Sequence, residues 1–152
     1  MDPARTIIAN ISRSGEHRTL TEAINATGIG QTLSEAGPYT LFAPADGSFA
    51  RLAPGTMEAL MDPASRNELS GLVHYHIVPG AMTRAQIEAD VNYGRGSASY
   101  RTLHGTSIRV TMEARTIVVS DLHGRTSRVA VADIRNSNGV IHAVDDLLLP
   151  AS

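Results

Sequence analysis

Apolar positions recur at helical spacing through the first half of the chain and alternate with polar ones through the second. Ile7, Ile8 and Ile11 share one helical face, and Asp2 followed by Pro3 reads as an N-cap with proline at the first helical position. Thr19-Leu20-Thr21-Glu22 fits a capping box, in which hydroxyl and carboxylate reciprocally satisfy orphaned N–H groups, so a second helix is predicted from near Leu20 to Gly28. A third, around Gln31–Glu35, ends at Gly37-Pro38, and the β-formers of Tyr39-Thr40-Leu41-Phe42-Ala43 then run into Pro44 as a buried strand. Further helical turns are expected over Ser48–Leu52, capped by Asp46, and over Met57–Met61, capped by Thr56. Ser65-Arg66-Asn67-Glu68 is another capping box; the helix it opens turns Leu69, Leu72 and Val73 inward and fades at Ile77-Val78-Pro79-Gly80.

After one more capping box at Thr83-Arg84-Ala85-Gln86 and an exposed loop over Asn92–Ser99, the period changes to two. Ile108, Val110 and Met112 alternate with Ser107, Arg109 and Thr111, as a strand with one buried face requires. Thr116–Ser120 and Arg128–Ile134 flank a His123-Gly124 turn, and Asn138-Gly139 before Val140–Val144 is a hairpin signal that predicts a type I′ turn. Helices first and strands mostly afterwards argue for an α+β domain on an antiparallel, folded-over sheet, with residues 1–152 as a single domain.

Composition narrows what such a domain does. A formal net charge of −2 offers no basic face for nucleic acid, and no 18-residue apolar stretch spans a bilayer. All 13 basic residues are Arg, a bias that fits a GC-rich coding sequence and hints at a bacterium. With no Cys there is neither a disulfide framework nor a thiolate nucleophile. His74 and His76 point about 200° apart on a helix and no H-E-x-x-H pattern accompanies them, so no metal site is read. There is no G-x-S-x-G elbow and no phosphate-binding glycine loop, and no catalytic or cofactor-binding residue is assigned.

Three segments together resemble the fasciclin-like (FAS1) domain family. Thr40-Leu41-Phe42-Ala43-Pro44-Ala45-Asp46-Gly47-Ser48-Phe49-Ala50-Arg51-Leu52 is similar to the family's first signature, with Ala45 in place of the usual Thr or Ser and Gly47 where a helix former is common. Leu72 to Gly80 resembles its Tyr-His segment, and Asp133-Ile134 with Asn138 to Pro150 resembles its C-terminal signature. The resemblance implies a wedge of two β-sheets with several helices, in extracellular or periplasmic proteins that serve adhesion and matrix contact. It marks Thr40, Phe42, Pro44, Asp46, Phe49, His76, Asn138, Gly139, His142 and Asp145 as structural signature positions.

The Tyr75-His76 pair, which some animal members of the family are proposed to use in partner contact, has two readings. At 100° per residue His76 falls with Leu69, Leu72 and Val73 on the core face, whereas Tyr75 lies on its flank. His76 is therefore read as buried and structural, and Tyr75 and His74 as candidate interaction residues. Asp46 reads as an N-cap rather than a catalytic carboxylate, and His142 and Asp145, on opposite strand faces, as structural. The sequons Asn10-Ile11-Ser12 and Asn25-Ala26-Thr27 lie in predicted helices and are read as chance.

The leading expectation is a non-catalytic module that binds a protein or glycan partner at a cell surface, with weak self-association as one source of avidity. The alternative is a carrier of an elongated apolar ligand such as a carotenoid, with Met57, Met61, Met82 and Met112 lining an adaptable groove. Met1-Asp2-Pro3-Ala4 has neither a basic n-region nor an h-region, so an extracytoplasmic protein is expected to carry its targeting signal outside this sequence.

Overall fold

A computed structural model describes residues 2–33, 37–51 and 54–149. Met1, Glu35 at the end of the third predicted helix, and Leu52 and Pro150 at the ends of two signature segments lie outside the described residues.

The first helix, α1 (Ile7–Arg13), starts later than Asp2-Pro3 implies, because its N-cap is Thr6, whose Oγ1 accepts the Ala9 N–H at 3.3 Å. Asp2 instead closes a local turn by accepting the Ala4 N–H. The second helix, α2 (Arg18–Thr27), stops at Gly28 with φ 74°, the left-handed cap conformation that glycine adopts without steric cost. Its start does not use the Thr19 capping box: Thr19 donates its own N–H to Asp46 Oδ1 at 2.9 Å, across 27 residues. Helix α3 (Ile29–Leu33) begins directly after that cap.

Strand β1 (Tyr39–Pro44) is followed by α4 (Asp46–Ala50), α5 (Thr56–Met61), a 3-10 turn (Pro63–Ser65) and α6 (Arg66–His74). Ser65 stands at the N-cap of α6 without a side-chain cap bond, and Thr56 is the first residue of α5 after Gly55 rather than its cap. Helix α6 ends at His74 instead of fading into Pro79-Gly80, since β2 (Ile77–Pro79) pairs antiparallel with β1. The Thr83 cap of α7 (Arg84–Tyr93) is made, with Oγ1 accepting the Gln86 N–H at 3.3 Å. The loop expected over Asn92–Ser99 shrinks to Gly94–Gly96, because β3 (Ser97–Arg101) already starts at Ser97.

Strands β4 (Ser107–Glu113), β5 (Thr116–Ser120), β6 (Thr126–Asn136) and β7 (Gly139–Val144) follow. The order is β2-β1-β7-β6-β5-β4-β3. β6 outgrows its expected range because it serves both halves, pairing β5 through residues 126–128 and β7 through residues 129–136, with register shifts between. Just past β3, Leu103 donates its N–H to the Ile77 carbonyl at 2.9 Å, so the two ends of the order meet. The sheet is not wholly antiparallel: β1 and β7 run parallel from Tyr39↔Gly139 to Pro44↔Val144. Such a central strand is buried on both faces, which explains the unbroken burial from Thr40 to Pro44.

β1 divides two cores. Leu41 and Ala43 face one built from the helices, with Ile7, Ile11, Leu20, Ile24 and Leu69, whereas Phe42 faces a second with Ile87, Val91, Tyr100, Ile108 and Val119. Met57 and Met61 pack on the first core and Met82 and Met112 on the second, so the four methionines do not share one groove.

Candidate functional site

The signature residues converge on the seam where β1, β7 and the two cores meet. Thr40 Oγ1 donates to the Gly80 carbonyl at 2.6 Å and accepts the Met82 N–H at 2.8 Å, fixing the turn after β2. Phe42 stacks on the His142 ring with centroids 5.5 Å apart. Pro44 is buried at the end of β1, and Phe49 of α4 fills the helical core. Asp46 is not the cap of its own helix as expected, since Ala45 holds that position; its carboxylate caps α2 instead, and its N–H donates to the Glu16 carbonyl at 2.8 Å.

His76 and His142 are fully engaged as neutral rings. Leu148 donates its N–H to His76 Nε2 at 3.1 Å, which places the ring proton on Nδ1 to donate to the Leu72 carbonyl at 2.8 Å. Burial pushes His76 down to about 4. In the same way Asp133 donates its N–H to His142 Nδ1 at 3.2 Å, leaving Nε2 to donate to the Met82 carbonyl at 2.6 Å, and burial lowers this ring too. Asp133 holds φ 59° at this bulge, and its Oδ1 accepts the Arg84 N–H at 2.7 Å at the start of α7. Asp145, just past β7, accepts the Arg128 N–H at Oδ1 at 2.8 Å, so it and His142 both hold backbone N–H groups of β6.

Tyr75 departs from the sequence reading. Because α6 ends at His74, the helical projection that put Tyr75 on a flank no longer holds one residue later, and its side chain is 0% exposed. The phenol donates to the Ser107 carbonyl at 2.9 Å, and burial with the nearby Asp121 charge pushes it up to about 12. Its ring meets His104 edge-on at 6.0 Å, while Gly71 lets His104 approach α6, where a Cβ would lie 3.2 Å from its ring. His74, half-buried, donates Nδ1 to the Ser70 carbonyl at 2.7 Å.

Asn138 and Gly139 do not form the expected type I′ turn and are held by other contacts. Asn136 pairs with Gly139, so Ser137 and Asn138 form the loop, and Asn138 is not among the non-glycine residues at positive φ. Asn138 instead ties three elements: Oδ1 accepts the Ile7 N–H at 2.9 Å, Nδ2 donates to Leu33 at 2.7 Å, and its carbonyl accepts the Tyr39 N–H at 3.0 Å. A Cβ on Gly139 would lie 1.9 Å from the Tyr39 carbonyl oxygen. Of the sequon asparagines, Asn10 is buried and bonds Asn136, whereas Asn25 is exposed on α2.

A cleft of about 540 Å³ beside α2 and α4 contains Arg18, Asp46 and Glu58. The Asp46 carboxylate in it caps α2 through Oδ1. Among the described residues no group of three or more His, Asp or Glu side chains is placed to hold a metal ion, and no helix is long and apolar enough to cross a membrane.

A sequence model of the fasciclin domain matches residues 15–150. Protein sll1483 of Synechocystis is 35% identical over 151 residues, covering 98% of this chain and 76% of its own length. Human periostin is 29% identical over 133 residues, covering 88% of this chain but 14% of periostin. A FAS1 domain pair from the insect cell adhesion molecule fasciclin I superposes with a TM-score of 0.85 at 19% identity, over 97% of this chain and 51% of that one.

Proposed function

Given that the chain belongs to the fasciclin domain family, we propose that it is a non-catalytic interaction module that works outside the cytoplasm, in adhesion or in binding a surface or matrix partner. One observation carries the reading. Of the titratable signature residues that chemistry could recruit, His76 and His142 have both ring nitrogens bonded to backbone groups, and Asp46 and Asp145 each hold a backbone N–H of another element through Oδ1. Tyr75 is likewise buried and bonded. A nucleophile, a base and an orienting group are thus not assembled on these residues, and recognition falls to the exterior. Of the two candidate interaction residues His74 and Tyr75, His74, at the end of α6, is the one with surface to offer a partner. Similarity to a cell adhesion molecule supports this assignment at the level of fold.

The test is to follow the full gene product by fractionation and to add the purified chain to source cells lacking the gene. The reading expects an extracytoplasmic protein that the cell surface retains. A cytoplasmic protein that no surface retains contradicts it.

A further inference from the structure

Alternation along β3, β4, β5 and the start of β6 sorts this half of the sheet into two chemically different faces. Tyr100, Ile108, Val110, Ile117 and Val119 point inward, where Ile87 and Val91 of α7 pack on them. The opposite face is solvated and made mostly of hydroxyls and guanidinium groups, with Glu113 as its carboxylate and Val118 as its one buried apolar side chain. Across it the register aligns Ser99 with Arg109, Arg109 with Ser120, and Ser120 with Thr126, while Arg101 sits two residues along β3 from Ser99.

The charges on this face do not cancel. Arg128 of β6 reaches Glu113 of β4 at 2.5 Å and so spans β5, roofing Val118, which is 3% exposed although it aligns with outward Thr111 and Arg128. Arg101 and Arg109 are both exposed, diagonal neighbours on adjacent strands with Cβ atoms about 7 Å apart. Among the described residues neither has a carboxylate within ion-pair distance; Arg109 Nη2 donates only to the Ser97 hydroxyl, at 3.4 Å. Arg101 and Arg109 thus set two unpaired positive charges side by side on a hydroxyl-rich surface of a chain whose net charge is −2.

We propose that this face docks an extended anionic polysaccharide, with Arg101 and Arg109 binding its carboxylate or sulfate groups and Ser99, Ser120 and Thr126 its hydroxyls. The inference rests on the interaction-module reading and names its partner class. Guanidinium forks match planar or tetrahedral oxyanions in paired hydrogen bonds, and short hydroxyls give and accept bonds with sugar hydroxyls. Other polyanions fit less well. The face exposes no large apolar side chain to enter a membrane interface, and no aromatic ring on which a base would stack. It also lacks the aromatic anchor that, with arginine, dominates most protein interfaces.

The whole chain is passed over immobilised heparin and immobilised alginate, a sulfated and a carboxylated probe, at low and moderate salt. Binding is expected to one or both and to weaken as salt rises. Arg101→Ser with Arg109→Ser should weaken it at least tenfold with an unchanged urea midpoint, and Ser99→Asp, which plants a carboxylate between the two cations, should do the same. Arg13→Ser with Arg18→Ser, on the helices, should leave it unchanged. No binding to either polysaccharide, equal loss in the helix variant, or binding only to anionic phospholipid vesicles or single-stranded DNA overturns the proposal. If cells still retain a chain that neither polysaccharide binds, this inference fails and the module reading stands; if cells do not retain it, the module reading fails.

Discussion

Each of the two buried histidines of the signature holds one proton, on the nitrogen that faces a carbonyl, and accepts an N–H at the other. Protonation would replace that accepted bond with two facing donors inside a core. An unfolded histidine titrates near 6.5, whereas burial lowers His17 and His142 and brings His76 to about 4. Between these limits the unfolded chain binds more protons than the folded one, so stability is full above about pH 6.5 and is lost as pH falls through the folded values. For His76 alone the interval corresponds to about 3 kcal/mol. Urea midpoints should therefore drop steadily from pH 7 to pH 4; a flat profile contradicts the neutral-ring assignment. Tyr75 and His76 should both act through stability. Tyr75→Ala opens a core cavity at about 3–5 kcal/mol, His76→Ala strands buried polar groups at about 1–3 kcal/mol, and Tyr75→Phe loses one hydrogen bond, about 1 kcal/mol, with the packing kept. The burial of His76 was legible in the sequence, although not through the helical face expected, since α6 ends at His74 and His76 shares no such face with Leu69, Leu72 and Val73. Tyr75 was not, because angular projection cannot see a helix stop one residue early when the strand after it pairs with β1.

Long-range closure, rather than local propensity, sets several of the element ends. Helix α2 begins where the Asp46 carboxylate meets Thr19, a contact no window of local sequence contains, although an acceptor at a helix start is what Asp46 was expected to supply. Asp46→Ala should cost about 1 kcal/mol and loosen the first turn of α2, read as faster amide exchange at residues 19–21, while α4 keeps its protection. Exchange that rises in α4 and not in α2 would return the cap to its own helix. At the β6–β7 hairpin the Asn-Gly signal marked the right residues for a different reason. Gly139→Ala should destabilise by more than about 2 kcal/mol, because its Cβ would meet the Tyr39 carbonyl and force β1 from β7. A urea midpoint equal to wild type would show that the two strands yield there without cost.

At the scale of the molecule, the period change from helical to alternating announced an α+β fold, and three short segments announced its family. The parallel pairing of β1 with β7 was hidden, since each residue pairs with one 100 positions further along the chain and alternation does not encode strand direction. Tyr75 and His76 are interior to the seam, and on the proposed reading recognition belongs to outward faces. The most direct measurement compares retention by source cells lacking the gene for three labelled proteins: wild type, Tyr75→Phe, and Arg101→Ser with Arg109→Ser. The account predicts equal retention of wild type and Tyr75→Phe, and loss of retention in the double arginine variant with its fold intact. Loss of retention in Tyr75→Phe at an undiminished urea midpoint, with the arginine variant still bound, would contradict it.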